Sequence, residues 1–201
     1  MNTFRRLTRT SAIFSIMLLV GCAGGLKHMQ VVAPEAVSEA PSPGKSMVVF
    51  MRPSTLGFAV QSSVFDTTAG GEPDLVGLVA AKKKVAYETD PGKREFMVIG
   101  ESADFMHADL EPGKTYYALV TPRMGAWKAR FSLKPIAGGE LGSDQFNEWH
   151  DACEWVEKSD SADLWAQENM SSIVSKQNKY HPVWLQKSEA DQPRLNPGDG
   201  R

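Results

Sequence analysis

Cysteine and long apolar stretches are both scarce in this sequence. It has only two cysteines, Cys22 and Cys153, among 201 residues, which excludes a scaffold held together by several disulfides. Its longest apolar stretch, residues 12–20, has nine residues and is interrupted by Ser15. A helix that crosses a bilayer needs about 20 such residues, so the sequence predicts no membrane-spanning helix.

Excess positive charge, histidine and phosphate-binding loops are also lacking. The chain has 22 basic and 24 acidic residues, four histidines and a formal net charge of −2. This balance argues against nucleic acid as a partner. Gly138-Gly139 lacks the lysine and the hydroxyl residue of a phosphate-binding loop, so we interpret it as a linker. We predict no cofactor and no bound metal.

The first 22 residues have the features of a bacterial export signal. Three arginines precede the apolar stretch, which ends in a motif that resembles the bacterial lipobox, Leu19-Val20-Gly21-Cys22. We predict that residues 1–21 are a lipoprotein signal peptide and that Cys22 carries acyl chains that anchor the protein to a membrane. An ordinary secretory peptide is the main alternative, and a twin-arginine signal fits less well.

The processed protein is predicted to be mildly acidic and to lie at the outer membrane, facing the periplasm. Removal of residues 1–21 takes away three arginines and no acid, which changes the formal charge from −2 to −5. Ala23 rather than an aspartate follows Cys22, and this pattern favours the outer membrane. In that oxidising compartment the lone thiol of Cys153 is either buried or available for a bond between chains.

Composition divides the processed chain into four segments. Residues 22–45 are rich in Ala, Pro, Gly and Ser and are predicted to be a flexible tether. Residues 46–136 are predicted to form a β-sandwich domain, and residues 140–187 a helical extension packed on it. The polar, Pro- and Gly-containing tail, residues 188–201, is predicted to be disordered.

Short apolar runs separated by turn signals predict that the β-sandwich is antiparallel. One run places Phe58, Val60 and Val64 on the same face of a strand, and Lys82-Lys83-Lys84 is predicted to be a solvated, charged turn. In the last run, residues 127–134, apolar and polar residues alternate, which predicts a strand with one face in the core and one in solvent. We expect the core to bury six large side chains: Phe50, Tyr117, Leu119, Trp127, Phe131 and Leu133.

In residues 140–187 the apolar period changes from two to 3.6 residues, which predicts helices. A second helix is expected to begin after residue 159 or 160 and to end near Gln177, because Pro182 disfavours continuation. The first helix is expected to begin at residue 143 or 144 and to bury one apolar stripe against the β-domain: Phe146, Trp149, Cys153 and Val156.

Trp155 falls on the acidic side of the predicted first helix, where a large aromatic side chain needs an explanation. Between Glu140 and Glu168 the chain has nine acidic residues and one basic residue. Either the second helix folds back and covers Trp155, or Trp155 is an exposed anchor for a basic protein partner.

One cluster, His150-Asp151-Ala152-Cys153-Glu154, suggests chemistry. His150 and either Cys153 or Glu154 would share a helix face, but a zinc site needs three or four ligands. A thiol nucleophile needs a base and a group that stabilises the oxyanion. No second cluster supplies these groups, so we predict no catalytic residue and no metal site.

Three motifs follow one another in the β region: Val48-Val49-Phe50-Met51-Arg52-Pro53, Asp90-Pro91-Gly92, and Leu110-Glu111-Pro112-Gly113-Lys114-Thr115-Tyr116-Tyr117. In this order, over about residues 45–135, they resemble the domain-of-unknown-function 2846 family of bacterial lipoproteins. The resemblance implies a compact β-sandwich on a lipid tether, with no established activity and no catalytic residues to transfer. The chain departs from the family pattern at Lys82-Lys83-Lys84, where a glycine or an aromatic residue is more usual.

These observations lead to three hypotheses about function. The leading one is a non-enzymatic envelope lipoprotein that binds a protein partner or is an accessory to a cell-envelope assembly. The second is a module that binds peptidoglycan or another glycan through exposed aromatic residues, Tyr116, Tyr117 or Trp127. An uncharacterised hydrolase ranks last. The candidate partner-binding residues are therefore Trp155, Tyr116 and Tyr117.

Overall fold

The computed structural model describes residues 26–124 and 129–201, which form two stacked β-sheets. The first sheet has the spatial order β1 (Met29–Val31), β10 (Glu154–Lys158), β5 (Lys83–Thr89), β2 (Ser46–Arg52), β8 (Thr115–Met124) and β9 (Ala129–Pro135). The second has the order β11 (Arg194–Leu195), β7 (Ala103–Leu110), β6 (Gly92–Ile99), β3 (Ser62–Asp66) and β4 (Asp74–Val79). The two helices are α1 (Asp144–Asp151) and α2 (Ser161–Leu185).

The predicted fold class, mainly β with a sandwich of two sheets and a helical C-terminal region, is confirmed. The sheets are mixed, because β2 with β8, β10 with β5, and β11 with β7 pair in parallel. Parallel neighbours cannot be joined by a tight hairpin, so each of these pairs is connected through other elements. Strands β1, β10 and β11 also lie outside residues 46–136, so the sandwich extends beyond its predicted limits.

Strand β2 shows how the core is layered. All seven of its residues are buried, because its sheet is covered on both faces. Val48 and Phe50 face the second sheet, where the Phe50 ring contacts Phe96 at 5.2 Å between centroids. Met47, Val49 and Met51 point to the opposite face, which α1 covers. This two-sided burial explains why β2 is an uninterrupted apolar run.

Five of the six predicted core residues are confirmed as buried: Phe50, Tyr117, Leu119, Phe131 and Leu133. The sixth, Trp127, lies outside the described residues. The predicted alternation of core-facing and solvent-facing residues in β9 is confirmed, since Phe131 and Leu133 are buried whereas Lys134 is exposed.

Helix α1 begins where the sequence predicted and ends earlier. Its N-cap is Ser143, whose hydroxyl oxygen accepts the Phe146 N–H at 3.1 Å. The prediction that the helix continues to Val156 is wrong, because β10 follows after Ala152. In a strand, consecutive residues face opposite ways, so Trp155 enters one apolar cluster and Val156 the other. The apolar residues at positions 153 and 156 matched a helical spacing, although the chain is a strand from Glu154 onwards and both faces of that strand are buried.

Helix α2 begins after Asp160, as predicted, but it does not end near Gln177. It continues through Pro182 to Leu185. The proline removes one backbone donor close to the helix end, and the last turn is held by Trp184, which is buried against Phe105 at 5.7 Å between ring centroids. Neither of these two described helices is both long and apolar enough to cross a bilayer.

The two segments predicted to lack structure are ordered where they are described. In the predicted tether, residues 22–45, β1 pairs with β10 and buries Met29. In the predicted disordered tail, residues 188–201, β11 pairs with β7 and Leu195 is fully buried. Polar composition suggested disorder, but hydrogen bonds to sheet edges satisfy the backbone of both segments. Both predictions are therefore wrong for the described residues.

Candidate functional site

The predicted lipidation residue, Cys22, and the predicted signal peptide, residues 1–21, lie outside the described residues. The structure begins at Leu26, and Met29 pairs with Lys158 through β1 and β10. The four peptide steps between Cys22 and Leu26 can span at most about 14 Å in any conformation. Acyl chains on Cys22 would therefore hold the domain close to the membrane, without the long tether that the sequence predicted.

The first sheet has two ends that differ in their position relative to Leu26. In the pairing of β2 with β5, Ser46 lies opposite Thr89 at one end and Arg52 lies opposite Lys83 at the other. Since β10 runs parallel to β5 and β1 antiparallel to β10, the chain enters β1 at the Ser46 end. We name this the proximal end and the Arg52 end the distal end. They are about 20 Å apart along β2.

The three candidate partner-binding residues are buried. Tyr116 and Tyr117 are fully buried, and Trp155 is only 4% exposed. The exposed-anchor interpretation of Trp155 is therefore wrong. The second helix is not its main cover either, because Lys84 Nζ lies 4.4 Å from the Trp155 ring centre and the His150 ring lies 5.9 Å away. Trp155 lies on β10 (Glu154–Lys158), so it faces one side of a strand and does not lie on the polar side of a helix.

A polar cluster fastens Glu39, in the segment before β2, and Arg201 to the outer face of the first sheet. We name it the Glu39 clamp, and its members are Glu39, Lys84, Tyr117, His150 and Arg201. The Tyr117 hydroxyl donates to Glu39 Oε2 at 2.6 Å and accepts from Arg201 Nη2 at 2.8 Å. Glu39 Oε1 lies 3.1 Å from His150 Nε2.

The clamp carboxylate is held in its ionised form. Hydrogen bonding to His150 and Tyr117 lowers the pKa of Glu39 to about 2, against the opposing effect of burial. Lys84 is buried in the clamp and donates to the His150 carbonyl oxygen at 2.9 Å. The prediction that Lys84 lies in a solvated turn is wrong, because β5 already includes it and its side chain covers Trp155.

The predicted His150–Cys153 cluster shows no sign of reactivity. Cys153 is buried, and burial raises the pKa of its thiol to about 11, so the thiol is protonated at neutral pH. Of the two alternatives for this cysteine, the buried one is correct. Within residues 26–124 and 129–201, no three His, Cys, Asp or Glu side chains converge in a geometry that could hold a metal ion.

A different feature stands out at the distal end, where a buried arginine organises a loop. The Arg52 guanidinium is fully buried, with its carbon 4.7 Å from the Phe131 ring centre. It donates to three loop carbonyl oxygens, those of Val60 at 2.6 Å, Gly57 at 2.8 Å and Leu56 at 2.9 Å. Burial lowers the pKa of Arg52 to about 10, which leaves it cationic at neutral pH. A charged donor that holds three carbonyls fixes the loop conformation.

The loop that Arg52 holds, residues 53–61, presents apolar side chains to solvent. We name it the distal loop. Phe58 is 72% exposed, Leu56 49% and Val60 40%. Gly57 has a φ of +67° and a Cβ placed on it would lie 3.5 Å from the Ala129 Cβ, so the loop rests against the start of β9. Neighbouring exposed apolar side chains of this size are typical of interaction surfaces.

The sequence signal for the distal loop was present but was assigned to the wrong element. Alternation of Phe58, Val60 and Val64 predicted one strand with a common buried face, whereas β3 begins only at Ser62. Val64 is buried as expected, and Phe58 is not. An arginine at the end of a fully apolar strand was the available signal, because a buried guanidinium must find backbone acceptors.

Comparison with known proteins gives no assignment. No protein-family model matches the chain, and no curated protein sequence matches it significantly. The resemblance to the domain-of-unknown-function 2846 family stays a prediction from three sequence motifs.

Proposed function

We propose that this protein is a non-enzymatic lipoprotein of the bacterial envelope, anchored through Cys22, that binds a protein partner through its distal loop. The observation that carries the proposal is the distal loop itself, whose apolar side chains are exposed although Arg52 fixes its backbone. The proposal includes outer-membrane localisation, facing the periplasm, and membership of the domain-of-unknown-function 2846 family.

The position of the loop favours a protein over the lipid bilayer as its occupant. Leu26 lies within about 14 Å of Cys22, and the chain enters the sheet soon afterwards at Met29, on the proximal side. The Arg52 end, which holds the distal loop, lies about 13 Å farther along β2. An anchored domain would therefore direct the loop away from its own membrane. A fixed backbone also reduces the entropy lost on binding.

The three exposed apolar side chains of the distal loop, Leu56, Phe58 and Val60, can contribute enough free energy for specific binding. Burying a Phe, Leu or Val side chain contributes about 1.5–3 kcal/mol, and aromatic residues near the centre of an interface often carry much of its affinity. Phe58 has the largest exposed fraction of the three. It is therefore the residue whose loss should weaken binding most.

The other two hypotheses receive less support. The glycan-binding hypothesis relied on exposed Tyr116 and Tyr117, which are buried, and on Trp127, which lies outside the described residues. The hydrolase hypothesis needs an activated nucleophile, whereas the Cys153 thiol is buried and its pKa is raised.

Site-specific photo-crosslinking in intact cells tests the docking proposal. A photoreactive amino acid is placed at Phe58 and, separately, at Leu56, with Leu164 as the control. Leu164 is 61% exposed on α2, far from the distal loop in sequence. We expect the same protein adduct from both loop positions and not from Leu164. Lipid or peptidoglycan adducts at Phe58, or identical protein adducts at all three positions, would contradict the proposal.

The anchor is tested independently of the docking surface. Replacement Cys22→Ser should abolish incorporation of radiolabelled palmitate and release the protein from the membrane fraction. Unchanged acylation of this variant would show that Cys22 is not the attachment point, whatever the result at Phe58.

A further inference from the structure

An open cavity of about 420 Å³ lies on the outer face of the second sheet, beside the end of α2. Strands β6, β7 and β11 contribute to its lining, and Trp184 of α2 contacts the His107 ring at 4.8 Å between centroids. We name this cavity the basic cleft. The side chains that matter for its chemistry are Thr67, Thr68, Lys93, Glu95, His107 and Arg194.

The carboxylate of the cleft is fully engaged. Glu95 Oε2 lies 2.9 Å from His181 Nε2 and 3.3 Å from His107 Nε2. Glu95 Oε1 accepts the Thr67 hydroxyl at 2.8 Å. Three neighbouring donors therefore bond to both carboxylate oxygens, and no described Lys or Arg side chain forms an ion pair with Glu95.

Two of the cleft cations have no carboxylate partner. Arg194 Nη2 lies 3.1 Å from His107 Nδ1, which accepts this bond if His107 donates its Nε2 proton to Glu95. No carboxylate in the described part of the chain forms an ion pair with Arg194 or Lys93, including Asp109, which lies opposite Lys93 in the β6–β7 pairing. Basic side chains without counter-ions in a cavity create a site for an anion.

A third cation shows how a paired residue differs. Arg94 also lines the cavity, but its guanidinium lies 3.7 Å from Asp66 and 3.8 Å from Asp90. It holds β6 to the neighbouring turn and contributes less net positive charge. The unpaired charge of the cleft therefore belongs to Lys93 and Arg194.

We infer that the basic cleft binds a phosphate group, through the guanidinium of Arg194, the ammonium of Lys93 and the hydroxyl of Thr68. Thr68 Oγ1 accepts the Glu95 N–H at 3.0 Å, so its proton is free to point into the cavity. A planar guanidinium can hold two phosphate oxygens, while an ammonium and a hydroxyl donate to the others. The open mouth leaves room for the group that the phosphate is attached to.

The phosphate can belong to a lipid headgroup or to a soluble phosphate ester. Gly92, which opens β6, lies three residues after Thr89 at the proximal end, so the cleft is on the half of the domain nearer to Leu26. This position suits a headgroup, and the probes below separate the two sources. Phosphate binding at this site does not depend on the distal loop or on Cys22.

Titration calorimetry on the full chain in non-ionic detergent, at pH 7 and low salt, tests the inference. The probes are glycerol 3-phosphate, a monoester, and glycerophosphoglycerol, the diester of a lipid headgroup. We expect saturable binding of at least one probe. Since a charged hydrogen bond is lost, Arg194→Gln should weaken binding about tenfold or more, and Lys93→Gln should weaken it several-fold. Arg130→Gln, on β9, is the control and should leave affinity unchanged.

The outcomes are distinguishable. Binding of the diester that depends on Arg194 and Lys93 supports a headgroup, and binding of the monoester alone supports a soluble phosphate ester. Absence of saturable binding for both probes would overturn the inference, as would binding that neither variant weakens. Lys93 is exposed, so Lys93→Gln should fold normally and remains informative if Arg194→Gln does not.

Discussion

The Glu39 clamp and the basic cleft contain the same kinds of side chain, on the outer faces of opposite sheets, and they differ in how their charges are matched. In the clamp, the single carboxylate, Glu39, faces the cations Lys84 and Arg201. A histidine and a hydroxyl bond to the carboxylate in both places, but Arg201 lies 3.5 Å from Glu39 in the clamp, whereas neither Lys93 nor Arg194 forms an ion pair with a described carboxylate in the cleft.

The difference separates a structural cluster from a candidate binding site. The clamp is closed by its own chain, since it joins the N-terminal segment to the last residue over a buried tyrosine. The cleft opens to solvent, and the side chains of Lys93 and Arg194 that line it can bind an anionic ligand. The clamp should therefore respond to substitution through the stability of the domain, and the cleft through ligand affinity.

The largest effect is expected on the clamp side. Trp155→Ala should lower the free energy of unfolding by about 3–5 kcal/mol, because it removes a large buried side chain of β10 from the second apolar cluster. The half-buried Trp149 is the matched control, and Trp149→Ala should cost clearly less. Chemical denaturation measures both. Equal, small losses would show that Trp155 is not a core residue.

An intermediate effect should appear as pH dependence. The folded-state pKa of Glu39 is lowered from 4.5 to about 2, so its contribution is complete above about pH 4.5 and is lost as the pH falls towards 2. After allowance for its partial exposure, this contribution is about 1–2 kcal/mol. Glu39→Gln should lower stability at pH 7 and flatten the profile between pH 4.5 and 2. An unchanged slope in this variant would contradict the assignment.

The smallest effect on stability is expected in the cleft. Lys93→Gln should change the free energy of unfolding by no more than about 0.5 kcal/mol, because Lys93 is exposed and forms no ion pair with any described residue. Thermal melting with and without glycerol 3-phosphate measures both responses. The ligand should stabilise the unmodified chain more than the variant. A large loss of stability without ligand would show that the cleft is structural, like the clamp.

Local patterns in the sequence were sufficient to predict the fold class and much of the core. The alternation in β9 identified Phe131 and Leu133 correctly, because a strand with one covered face imposes a period of two. The same reasoning failed for β10. There, both faces are covered, so Trp155 and Val156 are buried side by side and no strand period is visible.

The two candidate sites were harder to predict, for different reasons. The distal loop depends on Arg52, whose guanidinium packs on the ring of Phe131, far along the chain. The cleft brings Lys93 and Arg194 together only because β11 pairs with β7. Neither arrangement leaves a local motif, and low net charge over the whole chain concealed the positive charge of the cleft.

The short strands β1 and β11 have a further consequence, because each closes one edge of a sheet. Exposed edges invite pairing with other copies, and very short edge strands are a common protection against such aggregation. Lipid-anchored proteins are confined to two dimensions, where neighbouring copies meet often. Deletion of residues 194–201 would uncover β7, an eight-residue strand. With the lipid anchor proposed above, the short segments that form β1 and β11 would therefore protect β10 and β7 from pairing with neighbouring copies.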